Sequence, residues 1–297
     1  MVKVGIHYCY FIGTGIDDIM EKMEIAAKTG MDDFEFGAWY LYDLPDDQLK
    51  SIKAKAEDLG ITLSCDGGFN ASNDITSPDA AVREKGIAMM QKLLGQLEKT
   101  GIRNISGINY GAWLGRPQVN PLTMDEKLRV MELSAQSLKP IAKVAEDKGI
   151  CYSFELVNRF EQYLLNTVAE GLQLADMVGS PSIKLLLDTF HMNIEEDSIV
   201  DAIRLALGRN MVGEVHVGES NRRIPGTGKT HMDWAAIFGA LKEGGYTGNV
   251  VMEPIVTMGT AAAYDVGLWR DLTYGAQLPQ MIENIAVGGR FIRSFFS

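Results

Sequence analysis

The chain has 297 residues, with 28 Lys+Arg against 39 Asp+Glu and a formal net charge of −11. With 46% hydrophobic and 23% charged residues, this composition excludes a disordered or fibrous chain, and its acidic balance argues against nucleic acid as a partner. Three cysteines (Cys9, Cys65, Cys151) without a CxxC pair point to a reducing compartment, and the start MVKVGIHYCYFIG lacks the apolar core of a signal peptide. No run approaches the ~18 apolar residues of a membrane span, so a cytoplasmic protein with no membrane partner is expected.

One phrase recurs along the chain: an amphipathic helix, a Gly, then a short β-branched or aromatic run. KMEIAAKTGMDDFEFG, KAKAEDLGITLSCDGG and IAKVAEDKGICYSFELV all read this way. The Gly sits where a helix C-cap is expected and the run after it has strand character. The pattern predicts strands near 2–10, 32–37, 61–67, 102–110, 151–157, 183–189, 212–218 and 249–255. Helices are predicted over 16–29, 45–59, 78–99, 123–148, 167–178, 196–208 and 233–244, with a tail helix after about 277. Eightfold strand–helix alternation implies a parallel sheet with crossover helices, and this length closes most economically as an α/β (β/α)8 TIM barrel. The competing open doubly wound sheet lacks its GxGxxG after the first strand. With no Pro/Ser-rich linker, residues 1–297 read as one barrel domain with a C-terminal helical tail.

Barrel chemistry sits at the C-terminal mouth, so strands that end in ionisable residues carry the information. CYSFELV carries Glu155, IKLLLDTFH carries Asp188 with His191 beyond it, VGEVHVGE carries His216 and Glu219, and NVVMEP carries Glu253. A lone carboxylate in a strand is often half of a structural ion pair, but four such groups in apolar runs call for a common counter-charge. A divalent cation held by Glu155, Asp188, His216 and Glu253 supplies it. Three carboxylates and one imidazole favour Mn²⁺ or Mg²⁺, with Co²⁺ and Zn²⁺ also admissible. A mouth metal flanked by two glutamates suits proton chemistry at a carbon next to a carbonyl.

At these residues the chain resembles the D-tagatose 3-epimerase family of ketose 3-epimerases, which includes the D-allulose (D-psicose) 3-epimerases. ELVNRFEQYLLNT, LLLDTFHMNIEE, HVGESNRRIPGTG and GYTGNVVMEP carry the resemblance. It implies a xylose-isomerase-like barrel binding one Mn²⁺, with Co²⁺ or Mg²⁺ as substitutes, through the same four residues. It further implies Glu155 and Glu253 as the acid–base pair that epimerises a free ketose at C3 through a cis-enediolate. Sugar-positioning roles fall on Glu161, His191 and Arg222, an aromatic wall falls on Trp113, and a homodimer or homotetramer is expected. Two departures concern the part of the pocket that takes the far end of the sugar. Ile255 stands where an aromatic residue is usual, and His7 stands where an apolar or aromatic one is common.

His7 reads as a substrate contact or as a hydrogen-bonded pocket residue. Cys65 reads as a substrate contact or as a buried inert thiol. Trp39 and Tyr40 read as pocket wall or subunit contact. GTGKT at 226–230 is no phosphate loop, because Arg223 stands where the first glycine of that motif belongs. Competing functions are a hydroxypyruvate isomerase-like or inosose dehydratase-like enzyme, a sugar-phosphate epimerase using Arg222, Arg223 and Lys229, and a non-catalytic sugar-binding barrel. A DNA-repair endonuclease on this barrel would require more histidines and a basic face.

Overall fold

Capping residues set the rhythm of the chain. Thr123 and Thr167 each form a reciprocal capping box, with Glu126 and Glu170, at the start of helices Met124–Lys148 and Val168–Val178. Gly149 and Gly179 then end those helices in the left-handed conformation, at φ 61° and 73°. A strand begins within a few residues of each stop. The computed structural model describes residues 2–117 and 119–297.

The strands are β1 (Lys3–His7), β2 (Asp33–Gly37), β3 (Thr62–Asp66), β4 (Asn104–Ser106), β5 (Cys151–Glu155), β6 (Ile183–Asp188), β7 (Val212–Val217) and β8 (Asn249–Met252). All pair in parallel in chain order, and β8 returns to β1 to close the barrel. Around it lie α1 (Ile19–Lys28), α2 (Asp46–Leu59), α3 (Ala80–Thr100), α4 (Met124–Lys148), α5 (Val168–Val178), α6 (Thr189–Glu195), α7 (Ile199–Gly208), α8 (Trp234–Glu243), α9 (Ala261–Asp265) and α10 (Leu278–Phe296). The tail helix α10 seals the outside with an aromatic cluster, Phe295 and Phe296 lying 5.0 and 5.6 Å from Phe238.

Several boundaries differ from the sequence reading, and three of them have a clear local reason. The first strand stops at His7, and Tyr8–Phe11 coil into a 3-10 turn at the mouth. The fourth strand is only three residues long because Gly107 turns the chain at φ 111°. A Cβ there would sit 2.8 Å from the Gly67 carbonyl, so only glycine fits. The stretch after Asp188 folds at once into α6, with the Asp188 carboxylate accepting from the Phe190 N–H as an N-cap.

Beneath the mouth, the barrel interior holds a polar tier instead of the usual branched aliphatic layers. Asp33 accepts from the hydroxyls of Ser64 (2.5 Å) and Thr62 (2.6 Å). Glu35 accepts from Ser106 (2.8 Å), and Glu214 accepts from Asn104 (2.5 Å) and Asn249 (3.3 Å). All three carboxyls are buried. Burial pushes Asp33 up from 3.8 to about 7, against the pull of its two hydroxyl partners. Between those two pH values the folded state therefore holds a proton that the unfolded chain has lost. The stabilisation is complete below pH 3.8 and is lost as pH rises to about 7. Asp33→Asn keeps the size and removes the titration, and the two hydroxyls can rotate to serve an amide. Urea unfolding at pH 5 and pH 8 should show a pH dependence shallower by about a few kcal/mol in the variant than in the wild type. Equal pH dependence in both proteins would show that Asp33 ionises freely.

Candidate active site

A cavity of about 670 Å³ opens at the C-terminal mouth of the barrel. Its wall includes Glu155, Glu161, His191, Arg222 and Glu253 on one side and Tyr8, Trp39 and Asp66 on the other. Glu155 and Asp188 are the last residues of β5 and β6, His216 lies opposite Asp188 on β7, and Glu253 follows β8. One donor atom from each of these four lies within 4.8 Å of the others. The four residues that the sequence singles out thus meet at one point.

The electrostatics of this cluster call for a cation. Glu155 makes no side-chain hydrogen bond among the described residues; its nearest partner is His191 Nε2, 3.6 Å from its Oε1. Burial, reinforced by the nearby Glu253 charge, pushes the Glu155 carboxyl well above the ordinary carboxylate range. Burial likewise raises Asp188. Glu253 goes the other way. Burial opposes its charge, but the hydrogen bond from His216 and the positive charges of His7 and Arg222 hold it far below the usual value. Two glutamates in one cavity are thereby driven apart in proton affinity, which is the arrangement that acid–base chemistry uses. Three carboxylates, two buried and Glu253 partly exposed, around one imidazole form a hard, oxygen-rich donor set that fits a divalent cation.

His216 is oriented from behind. Its Nε2 lies 2.7 Å from Glu35 Oε2, while Nδ1 faces Glu253 Oε2 at 3.4 Å. In the metal-free fold both ring nitrogens thus face carboxylates, and Glu35 can retain the Nε2 proton when a cation replaces the one on Nδ1. The variant Glu35→Gln should weaken metal affinity by about 10–100-fold, measured by competition with a chelator. Unchanged affinity in a folded variant would remove Glu35 from this role.

The sugar-positioning candidates form a second connected group. Arg222 donates to Glu161, and Asn158 Nδ2 donates to the same Glu161 oxygen at 2.9 Å. The Asn158 backbone N–H donates to His191 Nδ1 at 3.1 Å, which turns His191 Nε2–H toward Glu155. The Arg222 guanidinium lies 4.0 Å over the Phe190 ring. Arg222 also holds φ 62°, a left-handed conformation that costs a non-glycine residue about 1–3 kcal/mol and gathers at functional sites. Burial would raise Glu161, but Arg222 and His191 win and hold it ionised.

Trp113, 37% exposed, and Ile255 both line the cavity. His7 is fully buried at the end of β1, with Nδ1 3.6 Å from Glu253 Oε1. Cys65 lies elsewhere: it is fully buried in the apolar core, and its neighbour Asp66 lines the cavity. Successive strand residues face opposite sides, so a displacement of one position decides which of the two meets a ligand. Glu219 also stands outside the cluster, accepting from Trp234 Nε1 at 3.1 Å and from Thr230 to anchor the loop before α8. Trp39 lines the cavity with Nε1 donating to the Gly68 carbonyl at 3.0 Å. Glu35, Asp66 and Asn158 were not picked out from the sequence. The signal for Glu35 was present, a charge inside the apolar run DFEFG, the same signal that marked Glu155.

The fold and this cluster define a metal-site TIM barrel of the sugar isomerase kind, and the family model described as xylose isomerase-like TIM barrel matches residues 23–271. The chain is 40% identical to a D-psicose 3-epimerase of Ruminiclostridium cellulolyticum, over 93% of this chain and 91% of that protein. It is 34% identical to an L-ribulose 3-epimerase of Mesorhizobium japonicum, over 92% and 88% of the two chains. A crystal structure of the D-psicose 3-epimerase of Clostridium cellulolyticum H10 with D-tagatose superposes with a TM-score of 0.92 and 37% identity, covering 100% of both chains. The chain belongs to the xylose isomerase-like TIM-barrel family and, within it, to the ketose 3-epimerases.

Proposed function

We propose that the chain epimerises free ketoses at C3, with ketohexoses such as D-allulose, D-fructose and D-tagatose, or ketopentoses, as substrates. One divalent cation held by Glu155, Asp188, His216 and Glu253, with Mn²⁺ the best match and Co²⁺ or Mg²⁺ as substitutes, polarises the substrate carbonyl when bound. The protein's own residues do the rest. Glu155 and Glu253, from strands three positions apart around the barrel, exchange a proton with C3 from its two faces. Glu161, Arg222 and His191 hold the oxygens around C1–C3, and Trp113 forms part of the cavity wall. The observation that carries this reading is the meeting of the Glu155, Asp188, His216 and Glu253 donor atoms within 4.8 Å of one another, in a chain 40% identical to a D-psicose 3-epimerase.

The cavity lining favours an uncharged sugar over a phosphorylated one. Asp17, Asp66 and Asp265 line the cavity together with Glu155, Glu161 and Glu253 against Lys22 and Arg222, and a phosphate would meet net negative charge. The three cysteines are free, which suits the cytoplasm, and no helix among the described residues is long and apolar enough to cross a membrane. Tyr264, Trp269 and Tyr274 are 72%, 70% and 63% exposed between β8 and α10, and we assign them to the contact of a homodimer or homotetramer. The test of function is to incubate the metal-loaded protein with a panel of free ketohexoses and ketopentoses and identify products by chromatography. C3 epimers are the expected products; aldoses alone, or no conversion of any ketose, would overturn the reading.

A further inference from the structure

We propose that Cys9, His7 and Glu253 form a second cation site, suited to Zn²⁺, that shares Glu253 with the four-residue cluster. The 3-10 turn after β1 folds Cys9 back over His7, and the Cys9 N–H donates to His7 Nδ1 at 3.4 Å, a long hydrogen bond that a cation on Nδ1 would replace. One donor atom each from Cys9, His7 and Glu253 then falls within 4.8 Å of the other two. The Glu253 carboxylate is divided between two histidines. Its Oε2 faces His216 Nδ1 at 3.4 Å and its Oε1 faces His7 Nδ1 at 3.6 Å.

A carboxylate stands behind each histidine, hydrogen-bonded to His216 and facing His7 without a hydrogen bond. Behind His216 Nε2 stands Glu35 at 2.7 Å, and behind His7 Nε2 stands Asp66 Oδ1 at 3.5 Å. A carboxylate behind the imidazole is the usual support of a metal-bound histidine, because it fixes the tautomer that turns the other nitrogen forward. His7 Nε2 and Asp66 Oδ1 are both buried, and neither has a hydrogen-bond partner among the described residues. Cys9 lines the cavity and is open to an ion entering from it.

The donor chemistry separates the two sites. Thiolate, imidazole and carboxylate form a zinc-like set, whereas three carboxylates and one imidazole suit Mn²⁺. Zn²⁺ binding releases the Cys9 thiol proton to solvent and leaves sulfur, nitrogen and oxygen as ligands. An ion on Glu253 Oε1 also withdraws that carboxylate from proton transfer, so Zn²⁺ should inhibit the Mn²⁺-loaded enzyme. This last consequence rests on the epimerase reading; the binding itself does not.

The experiment titrates the Mn²⁺-loaded protein with Zn²⁺ and counts bound metal by mass spectrometry after desalting. A parallel titration with Co²⁺ follows near-ultraviolet thiolate-to-metal absorption. The wild type should bind a second equivalent and show the absorption. Cys9→Ser and His7→Phe should each bind the second ion about ten-fold or more weakly and keep the first, and Cys9→Ser should lose the absorption. Cys9→Ser is nearly isosteric, so it decides the matter even if His7→Phe fails to fold. A single equivalent in the wild type would overturn the site, as would a second equivalent or absorption that persists in Cys9→Ser. If no ketose is turned over but the second equivalent binds and depends on Cys9, the epimerase reading fails and this site stands.

Discussion

Glu155→Gln and Glu253→Gln should each lower kcat/KM by at least about two orders of magnitude, the scale of a positioned acid–base group. Gln keeps the size and part of the hydrogen bonding but cannot carry the proton. In the metal-free fold Glu155 is driven toward its protonated form by burial and by Glu253, whereas His216, His7 and Arg222 keep Glu253 ionised. The cation displaces the Glu155 proton on binding, so that difference belongs to the metal-free fold; the expected course in the loaded enzyme is that one glutamate takes the C3 proton and the other returns one to the opposite face, the reverse reaction exchanging those roles. Turnover in D₂O should therefore place deuterium at C3 of the product, with little or none at C1. An aldose–ketose isomerase working by enediol would label C1 or C2 instead, and a hydride-shift isomerase would label neither. Loss of only a few-fold in both variants, with metal still bound, would mean that other residues move the protons.

What the sequence disclosed follows from how a barrel is built. Strand ends were readable because an ionisable residue inside an apolar run is costly unless something compensates it. That single argument places Glu155, Asp188, His216 and Glu253 at one mouth, and the structure brings their donor atoms together. It also marked Glu219, which serves the loop before α8 instead. Periodicity fixed the eight strands and their order but not their ends. The fourth strand stops at Gly107 because the Gly67 backbone passes too close for a side chain, a tertiary contact that no local pattern records. Cys65 and Asp66 show the same limit at the scale of one residue, since the facing of a strand depends on its register with its neighbours. Glu35 was visible as a charge in the apolar run DFEFG, but the polar tier it forms with Asp33 and Glu214 was hidden for a different reason. Its partners Ser64, Ser106, Asn104 and Asn249 come from other strands, and short polar residues scattered through a sequence give no sign that they converge.

Removal of the metal should abolish turnover, and Mn²⁺ or Co²⁺ should restore it. Glu155 and Asp188 are both pushed up by burial in the metal-free protein, so a cation must displace protons to bind there. Binding should accordingly release protons, detectable by calorimetry in buffers of different ionisation enthalpy. Affinity should fall as pH drops through the range in which those carboxyls hold their protons. The cation also favours the folded state by mass action, by about 2.7 kcal/mol at a concentration 100 times its dissociation constant, so chelation should lower the melting temperature as well as the rate. A lower melting temperature with full activity would make the ion a structural prop. Full activity in protein shown to be metal-free would refute the cation's role in catalysis, leaving the cluster of three carboxylates and one imidazole to be neutralised by protons alone.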